Sequence, residues 1–384
     1  MFDLEAYLQD LKTITAMDTG RYNESGVREI VAWFQERFDA LGLHTETAEM
    51  ADSDGHYAPV LLVSNMEEED ILSGSEKFDV LTISHLDTVF DTEDLRTFTW
   101  RIDPDGIGHA PGCIDCKGGS LLVYYLIKEM MAEGTLDFKF VAAMNTDEEP
   151  GSNYSREFFE VLADRTTYCL VFEPGRANDE FVGIRKGGVK YHVIAHGVGA
   201  HSGADFEKGA NAIVELSRWI PKIYELTDLE KGTTLNVAKM GGGLNNGQVP
   251  DYADATVRLL YLEPGEVDRV NTFFDEMVKN PVDPRCSLEV EILGTSRPPM
   301  YMNENSKALF AALGKAGEQT GNKVEWITTG GMSDGNWVAH HNVGTLDGCG
   351  PCGANLHTKE EYIKTWTVGP RFDIIRQLLI NLFA

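Results

Sequence analysis

Apolar runs that end in acids or histidine constrain this chain more than any other feature. FDVLTISHLD, DFKFVAAMN and YCLVFEPG each read as a buried strand. GGSLLVYYLIKEMMAEG, opened by glycines and closed by Gly134, reads as the helix between the first two. Strands alternating with helices predict an α/β fold, a mostly parallel sheet sandwiched by helices. In such sheets ligands sit beyond the carboxyl ends of the strands. His85 and Asp87 follow the first run, Asp147, Glu148 and Glu149 the second, and Glu173 ends the third. One rim is therefore expected to collect them.

From about Gly188 the pattern changes. VKYHVIAHGVGA, TTLNVAKMGGG, YADATVRLLYL and CSLEVEILGTS read as strands, with GANAIVELSRWIPKIYEL and GEVDRVNTFFDEMVKN as helices. That order, β-α-β-β-α-β, is the signature of a ferredoxin-like module. After Arg297 the earlier alternation resumes, so the module reads as an insertion. Residues 1–183 and 299–384 are expected to form one domain in two segments, and 184–298 the inserted one. A chain of 384 residues agrees with two or three domains.

The net charge of -28 argues against nucleic acid and against anionic membrane surfaces as partners. No apolar run reaches the roughly 18 residues of a membrane span. The start, MFDLEAYLQDLKTI, carries acids where a secretory signal carries bases, so a cytoplasmic protein is expected. Six cysteines in so long a chain make no disulfide scaffold.

Three neighbouring acids in NTDEEPGSNY repel one another, and the stretch holds no lysine or arginine to offset them. A divalent cation would do so. Imidazole with carboxylate suits zinc. In HLD, His85 and Asp87 lie two residues apart on an extended chain and point the same way, so Asp87 can orient His85 as a ligand. His357, in GANLHTKEEY, lies in a glycine-rich loop.

Three rival readings exist. GMSDG matches the nucleophile elbow around Ser333, with Asp347 and His357 following in order, but the remaining tail is too short for a hydrolase sheet. CGPC resembles a redox motif, yet GANLHT after it is no helix start. The pairs Cys113/Cys116 and Cys349/Cys352 could form a four-cysteine zinc site, but most of the chain separates them. Both pairs flank Asp115 or His357, which predicts oxidation sensitivity.

HLDTV, GCIDCKGG, DEEPGS, VFEPG, GAHSG with GANAI, and SDGN followed by TLDGCGPCGANLHTKEEYI occur in one order across nearly the whole chain. Together they resemble the two-zinc metallopeptidase family of glutamate carboxypeptidase, aminoacylase and succinyl-diaminopimelate desuccinylase. The resemblance implies two zinc ions per subunit, replaceable by cobalt or manganese. His85 and Glu173 would bind one, Glu149 and His357 the other, and Asp115 would bridge them. It implies Glu148 as general base and Asp87 as support for His85. The inserted module would be a lid and would form a homodimer. His201 would reach the partner's site, and Arg297 would clasp a substrate carboxylate. Relatives often carry asparagine where Gly247 stands, with Asn246 one step earlier here, and arginine where Leu260 stands, with Arg258 on the same strand face. The expected substrate is a small peptide with a free C-terminal carboxylate. The alternatives are an N-acyl-amino-acid deacylase or dipeptidase of this family, or a non-catalytic metal-binding protein.

Overall fold

Residues of the central strands alternate between two apolar layers, and this two-residue period sets the architecture. On one side, Val80, Phe140, Ala142, Met144 and Leu170 pack with Tyr7, Phe34, Leu122, Leu309 and Ile375. On the other, Leu81, Ile83, Val141, Ala143 and Val171 pack with Phe159, Leu162 and Trp337. The computed structural model describes residues 2–20, 23–49, 57–67 and 71–383.

The chain divides into two compact units. The first is Met1–Ile184 with Met300–Thr329 and Ser333–Ala384, and the second is Arg185–Pro299 with Gly330–Met332. The excursion of Gly330–Met332 into the second unit has no counterpart in the sequence pattern.

In the first unit a six-stranded sheet runs His44–Ala48, Val60–Ser64, Phe140–Asn145, Phe78–His85, Thr166–Val171, Gly344–Leu346. The last four strands are mutually parallel, and the first two join antiparallel. The helix Lys117–Glu133 packs against the sheet and is buried over most of its length. At Gly119 it comes so close to the strand end that a Cβ would lie 1.9 Å from the Phe172 carbonyl oxygen.

A smaller antiparallel sheet of Gly353–Ala354, Tyr362–Lys364, Ile107–His109 and Arg101–Ile102 brings two distant loops to one end. These loops carry Asp115 and His357. No helix among the described residues is long and apolar enough to cross a membrane.

The second unit is an antiparallel sheet ordered Thr234–Gly242, Tyr252–Tyr261, Gly187–His196, Ser287–Ile292. The helices Ala212–Tyr224 and Gly265–Lys279 cover one face, closing a separate core around Val193, Leu216, Trp219, Val257 and Phe274. Gly188 and Arg297 exchange two backbone hydrogen bonds, of 2.9 and 3.0 Å.

Candidate metal centre

The strand Phe78–His85 ends on His85, which is buried. Its Nδ1 lies 3.0 Å from the Asp87 carbonyl oxygen and 3.3 Å from Asp87 Oδ1. A proton held on Nδ1 leaves the Nε2 lone pair to face Asp115 Oδ1 at 3.1 Å and Glu173 Oε1 at 3.6 Å. From the far end of the chain, His357 Nε2 faces Asp115 Oδ2 at 3.0 Å and Glu149 Oε2 at 3.3 Å. Each oxygen of Asp115 thus meets a different imidazole. Donor atoms of His85, Asp115 and Glu149 lie within 4.8 Å of one another, as do those of His85, Cys116 and Glu173.

The three adjacent acids have three separate fates. Asp147 turns inward and accepts the N–H groups of Tyr154 at 2.9 Å and Ser155 at 3.3 Å, starting the helix Ser155–Ala163. Glu148 and Glu149 donate their backbone N–H groups to Asp87, at 3.3 and 3.0 Å. Asp87 therefore steers His85 and also clamps the acidic turn. Glu149 directs its carboxylate at His357, but its Oε1 is buried with no hydrogen-bond partner among the described residues.

The electrostatics mark this cluster as short of positive charge. Burial pushes Glu149 up to about 8, with Asp115 and Asp87 adding to the rise. The Asp115 hydrogen bond raises His357 to about 9. Burial disfavours ionised Asp115, yet the imidazoles of His357 and His85 hold it well below the usual carboxylate range. No lysine or arginine forms an ion pair with Asp115 or Glu149 among the described residues. An orphaned buried oxygen, converging carboxylates and two imidazoles form a donor set that fits divalent metal.

The rival sites dissolve. Ser333 is buried and its hydroxyl donates to the equally buried Asp347, while His357 faces other carboxylates, so GMSDG holds no triad. Asp334 accepts from Asn145 and Ser152, bracing the acidic turn from behind. A strand, Gly353–Ala354, follows CGPC in place of a helix. All four cysteines are free and buried, and burial drives their thiols upward, against thiolate chemistry.

The second unit carries the remaining residues in two pairs. His201 and Asn246 belong to neighbouring segments: Ala200–His201 pairs with Gln248–Val249, and Ser202 donates to the Asn246 carbonyl at 3.3 Å. His201 Nδ1 accepts from the N–H groups of Gly203 and Ala204, at 3.1 and 3.0 Å, so Nε2 carries the proton and points a donor outward. Arg258 is half-buried and Arg297 buried. Burial and the Arg297 charge hold Arg258 below its usual value.

Two buried titratable groups escaped the sequence reading, and burial pushes the second, Glu361, up to about 7. Lys117 Nζ donates to the Met17 carbonyl at 2.8 Å, and burial brings it down to about 7. Glu361 accepts backbone N–H groups from the Asp115 loop. The signal was its place four residues after His357, hidden in a pair of acids that resembles a solvated turn.

The family description Peptidase family M20/M25/M40 matches residues 81–381. The chain belongs to that family. Relatives of the M20 family chain include carboxypeptidase G2 of Pseudomonas sp. (strain RS-16), 26% identical over 99% of this chain and 90% of the relative. A succinyl-diaminopimelate desuccinylase of Colwellia psychrerythraea is 21% identical over 94% of this chain and 92% of its own. Among solved structures, a tripeptidase from Staphylococcus aureus aligns over 100% of both chains at a TM-score of 0.77 and 18% identity. A metallo-carboxypeptidase of the M20 family from Sulfolobus solfataricus aligns over 97% of this chain and 98% of that one, at a TM-score of 0.67 and 16% identity. These likenesses establish the α/β fold. Family membership makes the chain a hydrolase of peptide or amide bonds.

Proposed function

We propose that this hydrolase is a zinc-dependent carboxypeptidase, cleaving the amide bond before a C-terminal amino acid with a free carboxylate, as glutamate carboxypeptidases do. The observation that carries the reading is the division of Asp115, one oxygen toward His85 and one toward His357, with Glu173 and Glu149 beside the respective imidazoles. Two ions would be held there, His85 and Glu173 providing for one, Glu149 and His357 for the other, and Asp115 for both. Zinc bound there supplies Lewis acidity and a lowered pKa for water.

The chain's own residues do the rest. Glu148, fixed by its N–H bond to Asp87, takes a proton from the attacking water and returns it to the departing amine. Asp87 keeps the His85 proton on Nδ1. Arg258 and Arg297 hold the substrate carboxylate, for which a pair of forked donors is suited. His201 would reach the partner subunit's site and present Nε2–H to the carbonyl oxygen as charge builds there.

We further read the second unit (184–298 by the sequence pattern) as a lid and the joint of a homodimer. Exposed Met240 and Leu244, at 44% and 88%, lie on and just after the edge strand Thr234–Gly242 and support this. A deacylase is the second reading, favoured by the desuccinylase relatives.

The deciding experiment incubates zinc-loaded protein with a panel of dipeptides and N-acyl amino acids. Release of the C-terminal residue, abolished by a chelator, is expected. Undiminished activity in protein that holds no stoichiometric zinc, cobalt or manganese overturns the reading.

A further inference from the structure

Glu361 has 0% of its surface exposed, and its acceptors are spent on one short loop. Oε2 accepts the Gly112 N–H at 3.1 Å, while Oε1 accepts those of Ile114 at 3.0 Å and Asp115 at 3.2 Å. Residues 112–115 lie outside helix and strand, so their N–H groups have no ladder to satisfy them. Gly112 adopts φ +67°, and a Cβ there would lie 2.7 Å from Thr88 Cγ2. This backbone is tightly specified, and the specification comes from a residue 246 positions away from Asp115.

Glu361 also closes the loop that carries His357. Its own N–H donates to the Thr358 carbonyl at 3.0 Å, and Thr358 Oγ1 donates to the Asn355 carbonyl at 2.8 Å. Asn355 and His357 both adopt left-handed φ, 62° and 61°, which non-glycine residues hold only where their surroundings over-determine them. The strands flanking this loop pair with each other, and the second of them, Tyr362–Lys364, pairs with Ile107–His109, which leads into the other loop. One carboxylate therefore fastens the backbone of Asp115 to the loop of His357.

We propose that Glu361 is a positioning residue for the metal centre, setting the distance and orientation between Asp115 and His357 through the backbone. The proposal rests on the metal-centre reading given above. Glutamine cannot replace it fully. One amide oxygen can keep the two N–H bonds of Oε1, but the NH2 group then opposes the Gly112 N–H.

The test compares the full-length parent with Glu361→Gln and Glu361→Asp. It measures zinc affinity by chelator competition, the visible spectrum after cobalt loading, and unfolding of the metal-free chain. Zinc binding roughly 10- to 100-fold weaker, with a changed cobalt spectrum in a folded metal-free variant, is expected for Glu361→Gln. Partial recovery is expected for Glu361→Asp, which keeps the charge. Parent-like affinity and spectrum in Glu361→Gln overturn the proposal. So does a chain that is unfolded with and without zinc, since the carboxylate would then serve folding alone. A parent chain that takes up no zinc removes the metal-centre reading itself, and this proposal with it.

Discussion

Substitutions at single residues separate the roles most sharply. Glu148→Ala should keep its metal and lose at least roughly 100-fold in rate, the usual share of a general base. Turnover in a metal-quantified sample checks it, and parent-like rates would end the assignment. Ser333→Ala should behave in the opposite way. It should leave turnover per folded molecule intact and cost about 1–3 kcal/mol of stability, because buried Asp347 loses a donor. Denaturant unfolding beside a rate assay reads both. The convergence of this candidate site was legible in sequence, because strand ends gather at one rim and because His85, Asp115, Glu149, Glu173 and His357 sit in recognisable motifs. Glu361 and Asp334 were not legible. Their partners are backbone amides and side chains far away in sequence, and no local spacing encodes such contacts.

Elements obey packing limits that composition does not reveal. The helix Lys117–Glu133 begins directly after the Asp115 loop, and Gly119 meets the Phe172 carbonyl just before Glu173. Gly119→Ala should push helix and strand end apart, costing about 1–3 kcal/mol or more and loosening metal uptake. Thermal unfolding and metal titration together would show it. In the second unit, Glu266 begins the helix Gly265–Lys279 and accepts from Arg269 and Lys231. The Arg269 hydrogen bonds lower it from 4.5 to about 2. A depressed carboxylate stabilises the fold above its unfolded value and loses that contribution as pH falls through its folded one. Glu266→Gln should therefore cost roughly 1–2 kcal/mol at neutral pH. The difference should fade between about pH 4.5 and pH 2, as urea melts across that range would record. Strands and helices were readable here because their apolar periods are strong. The small sheet of two- and three-residue strands was not, since runs so short carry no period.

At the scale of the whole molecule, protons and metal compete for one cluster. Burial pushes Glu149 up to about 8, and the Asp115 bond raises His357 to about 9, so the metal-free chain holds protons there at neutral pH. A cation must displace them. Metal uptake at pH 7 should release protons, and affinity should climb as pH rises toward 9. Calorimetry in buffers of differing ionisation enthalpy measures the release directly, and its absence would contradict the charge assignment. The second unit has its own core, and residues 185–299 expressed alone should fold cooperatively, which circular dichroism and proton spectra can establish. Gly188 and Arg297 give that expectation a wider reach. There the segments that open and close residues 185–299 run side by side, about 5 Å apart. A bridge of two or three small residues could span the cut, so the module is a cassette that recombination can trade while the cluster around Asp115 stays as it is.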